Sequence, residues 1–180
     1  MDQTFSLNNM ILIGSTARNS GKTTLATALV NAYQDRYPVI GLKISSIHEE
    51  TGVTEDLAGG WQLIEETSRD GLKDTSKLLA AGANRVYWLK TDRANLEQGF
   101  LEFMGLVDSH CLIVCESNSL RQLVRPGIFI MMKNPAVEEI KPAALEVMAM
   151  ADLLVEETVS AVLPQILQAI EARVIPNLGK

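Results

Sequence analysis

The chain reads as an α/β protein: a single domain, residues 1–180, on a mainly parallel sheet with helices on both faces. Three observations predict this. Short apolar runs alternate with stretches of helical periodicity along the length. The runs are apolar throughout, as in MILI (10–13), LIVC (112–115) and IFIM (128–131), which is the pattern of parallel strands buried on both faces. No repeat or low-complexity linker divides the chain, and 180 residues is an ordinary length for one domain with a substantial core.

The first strand is Met10–Ile13, which turns through Gly14 into a small polar loop. A helix follows from about Thr23 to Arg36, with Leu25, Ala28, Leu29, Ala32 and Tyr33 on one face. It stops before Pro38, because the residue ahead of a proline is pushed out of helical geometry. Val39–Ile44 is the second strand. A long polar stretch, Ser45 to Asp74, then carries eight carboxylates: Glu49, Glu50, Glu55, Asp56, Glu65, Glu66, Asp70 and Asp74. Within it Trp61–Thr67 fits a short edge strand; so long a connection in a compact domain is functional or mobile.

Asp74 opens a short helix through Leu78 and Leu79 to Ala81, closed by Gly82 at the C-cap. Arg85–Leu89 is the third strand. A helix from about Asp92 to Val107 aligns Leu96, Phe100, Phe103, Met104 and Val107. Strands Cys111–Cys115 and Ile128–Met132 follow, and Pro142 suits the first turn of a helix carrying Leu145 and Met148. Leu153–Val155 is a sixth short strand. The last helix runs through Leu163, Ile166, Leu167 and Ile170, with Pro164 marking its start or a kink.

Composition excludes several classes. With 47% hydrophobic and 21% charged residues the chain is not disordered. A net charge of −6 argues against a broad nucleic-acid or anionic-membrane footprint, so any polyanion must be held at a focused site. No apolar run approaches the roughly 20 residues that span a bilayer, and MDQTFSLNN lacks the basic start and apolar core of a signal peptide. Cys111 and Cys115 fit reduced thiols in a cytoplasmic core. At i, i+4 on a strand they stand about 13 Å apart, too far for a disulfide or a shared metal.

In a parallel sheet, ligands bind at the carboxyl ends of strands. That directs attention to the loop after Ile13, to Lys43–His48, to Lys90–Arg93 and to Glu116–Asn118. The first is the most informative. An apolar strand, a polar loop ending in Gly21-Lys22-Thr23-Thr24, and an immediate helix form the setting of a phosphate-binding loop. Backbone N–H groups across Arg18, Asn19, Ser20, Gly21 and Thr24 would cradle phosphate oxygens at the helix's positive end. Lys22 would reach the terminal phosphates, and the Thr23 hydroxyl would hold Mg²⁺. The strict pattern places a glycine five residues before Gly21, where this chain has Thr16, so the loop opens differently.

The other candidates each carry two readings. Glu116, ending the run Leu112–Cys115, is a Mg²⁺ partner facing the Thr23 ligand or a solvated strand-end acid. Asp74 is a helix N-cap or a carboxylate that approaches Mg²⁺ or positions an attacking water. Lys43 stands where it can touch a phosphate or an acidic substrate; His48 is structural or near the same site; Arg18 reinforces phosphate charge or points to solvent. Base selectivity is poorly marked: Leu89-Lys90-Thr91-Asp92 lacks the leading polar residue of a guanine reader, and Lys133-Asn134 reverses its order.

SGKTTL after an apolar strand, a strand-two lysine followed by His48, KDTSKLLAAGA and CLIVCE occur here in one order. This set resembles the MobB family, the molybdopterin-guanine dinucleotide biosynthesis protein B family of small phosphate-loop NTPases. The resemblance covers roughly residues 10–133, and its distinguishing piece is Lys73-Asp74-Thr75 with Ala81-Gly82-Ala83. It implies a P-loop NTPase type of fold and a homodimeric GTP-binding protein. That protein would assist a molybdenum-cofactor nucleotidyltransferase. By matching position, Lys22, Thr23, Asp74 and Glu116 become nucleotide and Mg²⁺ residues, with Lys43 and His48 near the phosphates.

The expectation is a cytoplasmic, Mg²⁺-dependent GTP- or ATP-binding protein with slow hydrolysis, in which Lys22 and Asp74 serve catalysis. Two rivals keep the nucleotide site: a kinase or ligase acting on a small metabolite, and a nucleotide-dependent switch or scaffold.

Overall fold

A computed structural model describes residues 5–47, 57 and 59–178. The fold is α/β, with a seven-stranded, mostly parallel mixed sheet and five helices among the described residues. In chain order these are β1 (Phe5–Ser15), α1 (Lys22–Tyr33), β2 (Val39–Ser46), β3 (Trp61–Glu65), α2 (Asp74–Ala80), β4 (Arg85–Thr91) and α3 (Leu96–Met104). Then come β5 (Leu112–Glu116), β6 (Val124–Met132), α4 (Pro142–Leu145), β7 (Leu153–Val155) and α5 (Val159–Arg173). The strand order is β3-β4-β2-β5-β1-β6-β7, and among the described strands only β3 runs antiparallel to its neighbour.

Alternation along the buried strands divides the core in two. Ile11 and Ile13 of β1 join Val114 of β5 and Ile130 of β6 beneath α1, α2 and α5. Met10 and Leu12 join Cys115, Phe129 and Met131 on the other face, covered by Phe100 and Phe103 of α3 and by Ala144 of α4. Both faces are therefore apolar along the same strands, as parallel strands require. Cys111 and Cys115 are both free and buried on that second face.

Several boundaries differ from the sequence reading, each for a local reason. β1 begins at Phe5, because Phe5–Leu7 pairs with Val124–Pro126 of β6 before a register shift. That segment is only half-buried, so its apolar signal is weak. β5 starts at Leu112 and includes Glu116, which pairs with Ile13 and Lys43 in the ladders to β1 and β2. The helix expected from Asp92 begins at Leu96; the Asp92 carboxylate instead accepts the Asn95 backbone N–H at 2.8 Å, tying off the turn ahead of it.

α4 is one turn only, and Met148 falls in a separate 3₁₀ turn. Pro164 stands inside α5, so it does not mark that helix's start. Trp61–Glu65 is the edge strand expected within the acidic stretch, and Leu153–Val155 is a strand with the expected bounds. His48, Glu49, Glu50, Glu55 and Asp56 lie outside the described residues.

Candidate functional site

The carboxyl ends of β1, β2, β4 and β5 open into one cleft of about 1420 Å³. Its walls include residues 17–24, Lys43–Ser46, Thr91–Ala94 and Glu116–Ser119. The loop between β1 and α1, Lys43, Asp74 and Glu116 therefore all face one space, though α2 lies about thirty residues beyond β2 in the chain.

The loop's shape is set at its two ends. At the start, the Asn118 side chain clamps Ser15: Oδ1 accepts the Ser15 N–H at 2.8 Å, and Nδ2 donates to the Ser15 carbonyl at 2.9 Å. The clamp needs Gly14, since a Cβ there would lie 2.7 Å from Asn118 Oδ1. Thr16, standing where the strict motif has glycine, is buried and tied on both sides. Its N–H donates to the Met132 carbonyl at 3.0 Å, and its carbonyl accepts the Lys141 N–H at 2.9 Å. Ser15 and Ser20 hydroxyls both donate to the Ala17 carbonyl, closing the turn between them.

At its far end the loop passes through two left-handed residues, Asn19 (φ 56°) and Gly21 (φ 84°), into α1. Left-handed geometry lets successive N–H groups converge on one concavity, and the first N–H groups of α1 have no intrahelical acceptor. Arg18, Asn19 and Thr24 sit exposed on the rim, while Ser20, Gly21, Lys22 and Thr23 are half-buried.

Beneath the loop the polar groups are tightly grouped. The Thr23 hydroxyl donates to Glu116 Oε2 at 3.1 Å. Glu116 is only 3% exposed, and its other oxygen, Oε1, is buried with no hydrogen-bond partner among the described residues. Burial pushes the Glu116 carboxyl above its ordinary range, with the Lys22 ammonium opposing. Burial likewise lowers the Lys22 ammonium; Glu116 opposes this, and the charges of Lys141 and Lys43 add to it.

Asp74 accepts from Lys43 at 2.7 Å and from Lys77 at 3.3 Å. Burial works against its ionisation, but the two ammonium groups outweigh that and hold it below its usual value. The N-cap reading of Asp74 is corrected. Lys73 occupies that position, and the Ser76 hydroxyl ties the turn by accepting the Lys73 N–H and donating to the Lys73 carbonyl, both at 2.9 Å. The Asp74 carboxylate is thereby released to the cleft. The solvated reading of Glu116 is corrected too, because the strand carries it inside.

No protein-family model, curated protein or solved structure matches this chain.

Lys90 and Asp92 are occupied elsewhere: the Lys90 ammonium lies 4.5 Å from the Trp88 ring centre, and both Asp92 carboxylate oxygens hold Asn95. Lys133 pairs with Glu156 at 2.5 Å. Among the described residues no group of three or more His, Cys, Asp or Glu is arranged for a metal.

Three features escaped the sequence reading. Asn118 was legible only as a strand-end polar residue; its clamp depends on β5 lying beside β1. Lys141 reaches the cleft from the connection after β6, and only its place just before Pro142 hinted at an ordered position. Arg93, Gln122 and Glu146 form a hydrogen-bonded group that also lines the cleft, from three separate segments that no local pattern links.

Proposed function

We propose that this protein binds a purine nucleoside triphosphate, GTP or ATP, together with Mg²⁺, and hydrolyses it slowly. The observation that carries the reading is the Thr23–Glu116 pair beside Lys22, with a buried Glu116 oxygen lacking a partner. A carboxylate without a partner for one oxygen costs stability when buried, and a cation at that place would offset the cost. The donor set fits Mg²⁺, which takes few protein oxygens and completes its shell with water and phosphate. Thr23 and Glu116 would hold it, and its chemistry there is to neutralise phosphate charge.

The chain's own groups account for the rest. The N–H groups around Asn19–Thr24 donate to the oxyanions of the β- and γ-phosphates, and Lys22 stabilises charge that grows in the transition state. Asp74, held by Lys43 and Lys77, retains free acceptor capacity to orient a water. Lys43 lies where it can exchange Asp74 for a phosphate oxygen. The MobB resemblance supports a role as a homodimeric accessory factor for a molybdenum-cofactor nucleotidyltransferase, in the cytoplasm. Among the described residues no helix is long and apolar enough to cross a membrane.

A second reading, a kinase or ligase for a small metabolite, is favoured by the cleft's size. At about 1420 Å³ it exceeds the roughly 300–1,000 Å³ of an ordinary ligand pocket, and it continues past the loop to Arg93 and Glu146. Thermal unfolding with GTP or ATP, with and without Mg²⁺, tests the nucleotide claim. A ligand at 100 times its Kd adds about 2.7 kcal/mol, a rise in Tm of roughly 5–10 °C at this size. Unshifted melting with both nucleotides would refute it.

A further inference from the structure

We propose that Lys141 is a second phosphate-binding cation of this site, contributed from outside the loop and directed at the polyphosphate tail of the nucleotide. The inference rests on the nucleotide reading above. Lys141 lies on the connection between β6 and α4, more than a hundred residues from Lys22, yet it lines the same cleft.

Its backbone is anchored to the loop itself, because the Lys141 N–H donates to the Thr16 carbonyl at 2.9 Å. The segment before it is anchored as well, through the Asn134 N–H to the Thr16 hydroxyl at 3.4 Å. The position of the side chain's root is thus tied to the loop's position, as a phosphate ligand from a distant segment requires.

The side chain is half-buried and has no ion pair or hydrogen bond among the described residues. It is close enough to Lys22 that its charge opposes protonation there, and Lys43 adds a third positive charge. Of the two acids deepest in this group, Glu116 is engaged with Thr23 and Asp74 with Lys43 and Lys77. Among the described residues neither Lys141 nor Lys22 has an ion pair or hydrogen bond, although Glu116 and Asp74 favour the Lys22 charge. The repulsion that Lys141 and Lys43 exert on Lys22 is relieved when an anion binds among them, and a triphosphate supplies that charge. Lys141 and Lys22 would approach it from different walls of the cleft.

Lys141→Gln tests this in the full-length chain, because the backbone bond to Thr16 survives the substitution and leaves the loop anchored. A fluorescent GTP or ATP analogue reports binding, and inorganic tripolyphosphate and the nucleoside monophosphate compete for it. We expect Lys141→Gln to weaken triphosphate and tripolyphosphate about 10- to 100-fold, the effect of one charge-assisted hydrogen bond. Monophosphate binding should change little, the salt dependence should become shallower, and Lys141→Arg should restore most of the affinity. Lys22→Ala is run in parallel. If it loses affinity while Lys141→Gln keeps wild-type affinity, the assignment of Lys141 is wrong and the nucleotide site stands. Wild-type protein that binds neither triphosphate nor tripolyphosphate overturns both. Equal losses for monophosphate and triphosphate, or a Lys141→Gln variant with a lowered melting temperature and no rescue by arginine, also contradict the proposal, by showing a structural role.

Discussion

Glu116 is a buried acid held by one hydroxyl, and it is under electrostatic tension in the free protein. Its carboxyl titrates above the ordinary carboxylate range, so between the unfolded and folded values the native state holds a proton that the unfolded chain has lost. Stability contributed by this group therefore falls as pH rises through that window. Asp74 has the opposite sign: its folded value is depressed, so its contribution is present above the ordinary Asp range and is lost as pH falls through the lowered value. Glu116→Gln removes the first slope. We expect it to raise the stability of the ligand-free protein by about 1 kcal/mol, roughly 2–4 °C in Tm, while abolishing the Mg²⁺ dependence of nucleotide binding. Melting curves across pH, with and without Mg²⁺, check both halves. A destabilised variant with unchanged Mg²⁺ response would show that Glu116 serves the fold alone.

At the scale of elements, the site is a loop held by its neighbours. Asn118, just past β5, fixes Ser15 at the end of β1, and the β6–α4 connection fixes Thr16, the loop's first residue. Asn118→Ala removes both bonds to Ser15 and is expected to cost about 1–3 kcal/mol in denaturant unfolding. Nucleotide affinity should fall with it, since the loop loses its anchor. Gly14→Ala should do the same by crowding Asn118 Oδ1, which a Cβ would approach to 2.7 Å. A variant that binds nucleotide normally would separate the clamp from the site. Ser76→Ala tests the cap of α2: about 1 kcal/mol of stability and a misplaced Asp74, read as weaker nucleotide turnover with little change in affinity.

These elements also show how much the sequence disclosed. The strand–loop–helix unit at Met10–Tyr33 is legible because apolar run, Gly-Lys-Thr and helical spacing are contiguous. Glu116 was locatable for the same reason, as the acid that ends an apolar run. The role of Asp74 was ambiguous because N-cap and first helical position are adjacent residues, and the hydroxyl that decides between them belongs to Ser76. Asn118 and Lys141 act only through strands adjacent in the sheet and distant in the chain, and residue spacing carries no such information.

Across the whole molecule, one arrangement stands out: an acidic protein that sets Lys22, Lys43 and Lys141 together where parallel strands end. β1 lies between β5 and β6, so the loop emerging from it meets Glu116 and Asn118 on one side and the connection bearing Lys141 on the other. The two cores beneath are apolar on both faces and keep that rim in place. The cleft's lining also includes Arg93, Gln122 and Glu146, and its volume of about 1420 Å³ leaves room for an acceptor. Turnover that rises sharply when a phosphate acceptor is added would favour the kinase reading, whereas slow acceptor-independent release of phosphate fits hydrolysis.

Calorimetric titration of Mg²⁺-GTP and Mg²⁺-ATP into the wild-type chain and Lys22→Ala tests the central claim most directly. We predict saturable binding of at least one nucleotide by the wild type. Loss of one charge-assisted bond should make the variant's affinity about 10- to 150-fold weaker. No heat with either nucleotide, or the same affinity in both proteins, would contradict the account.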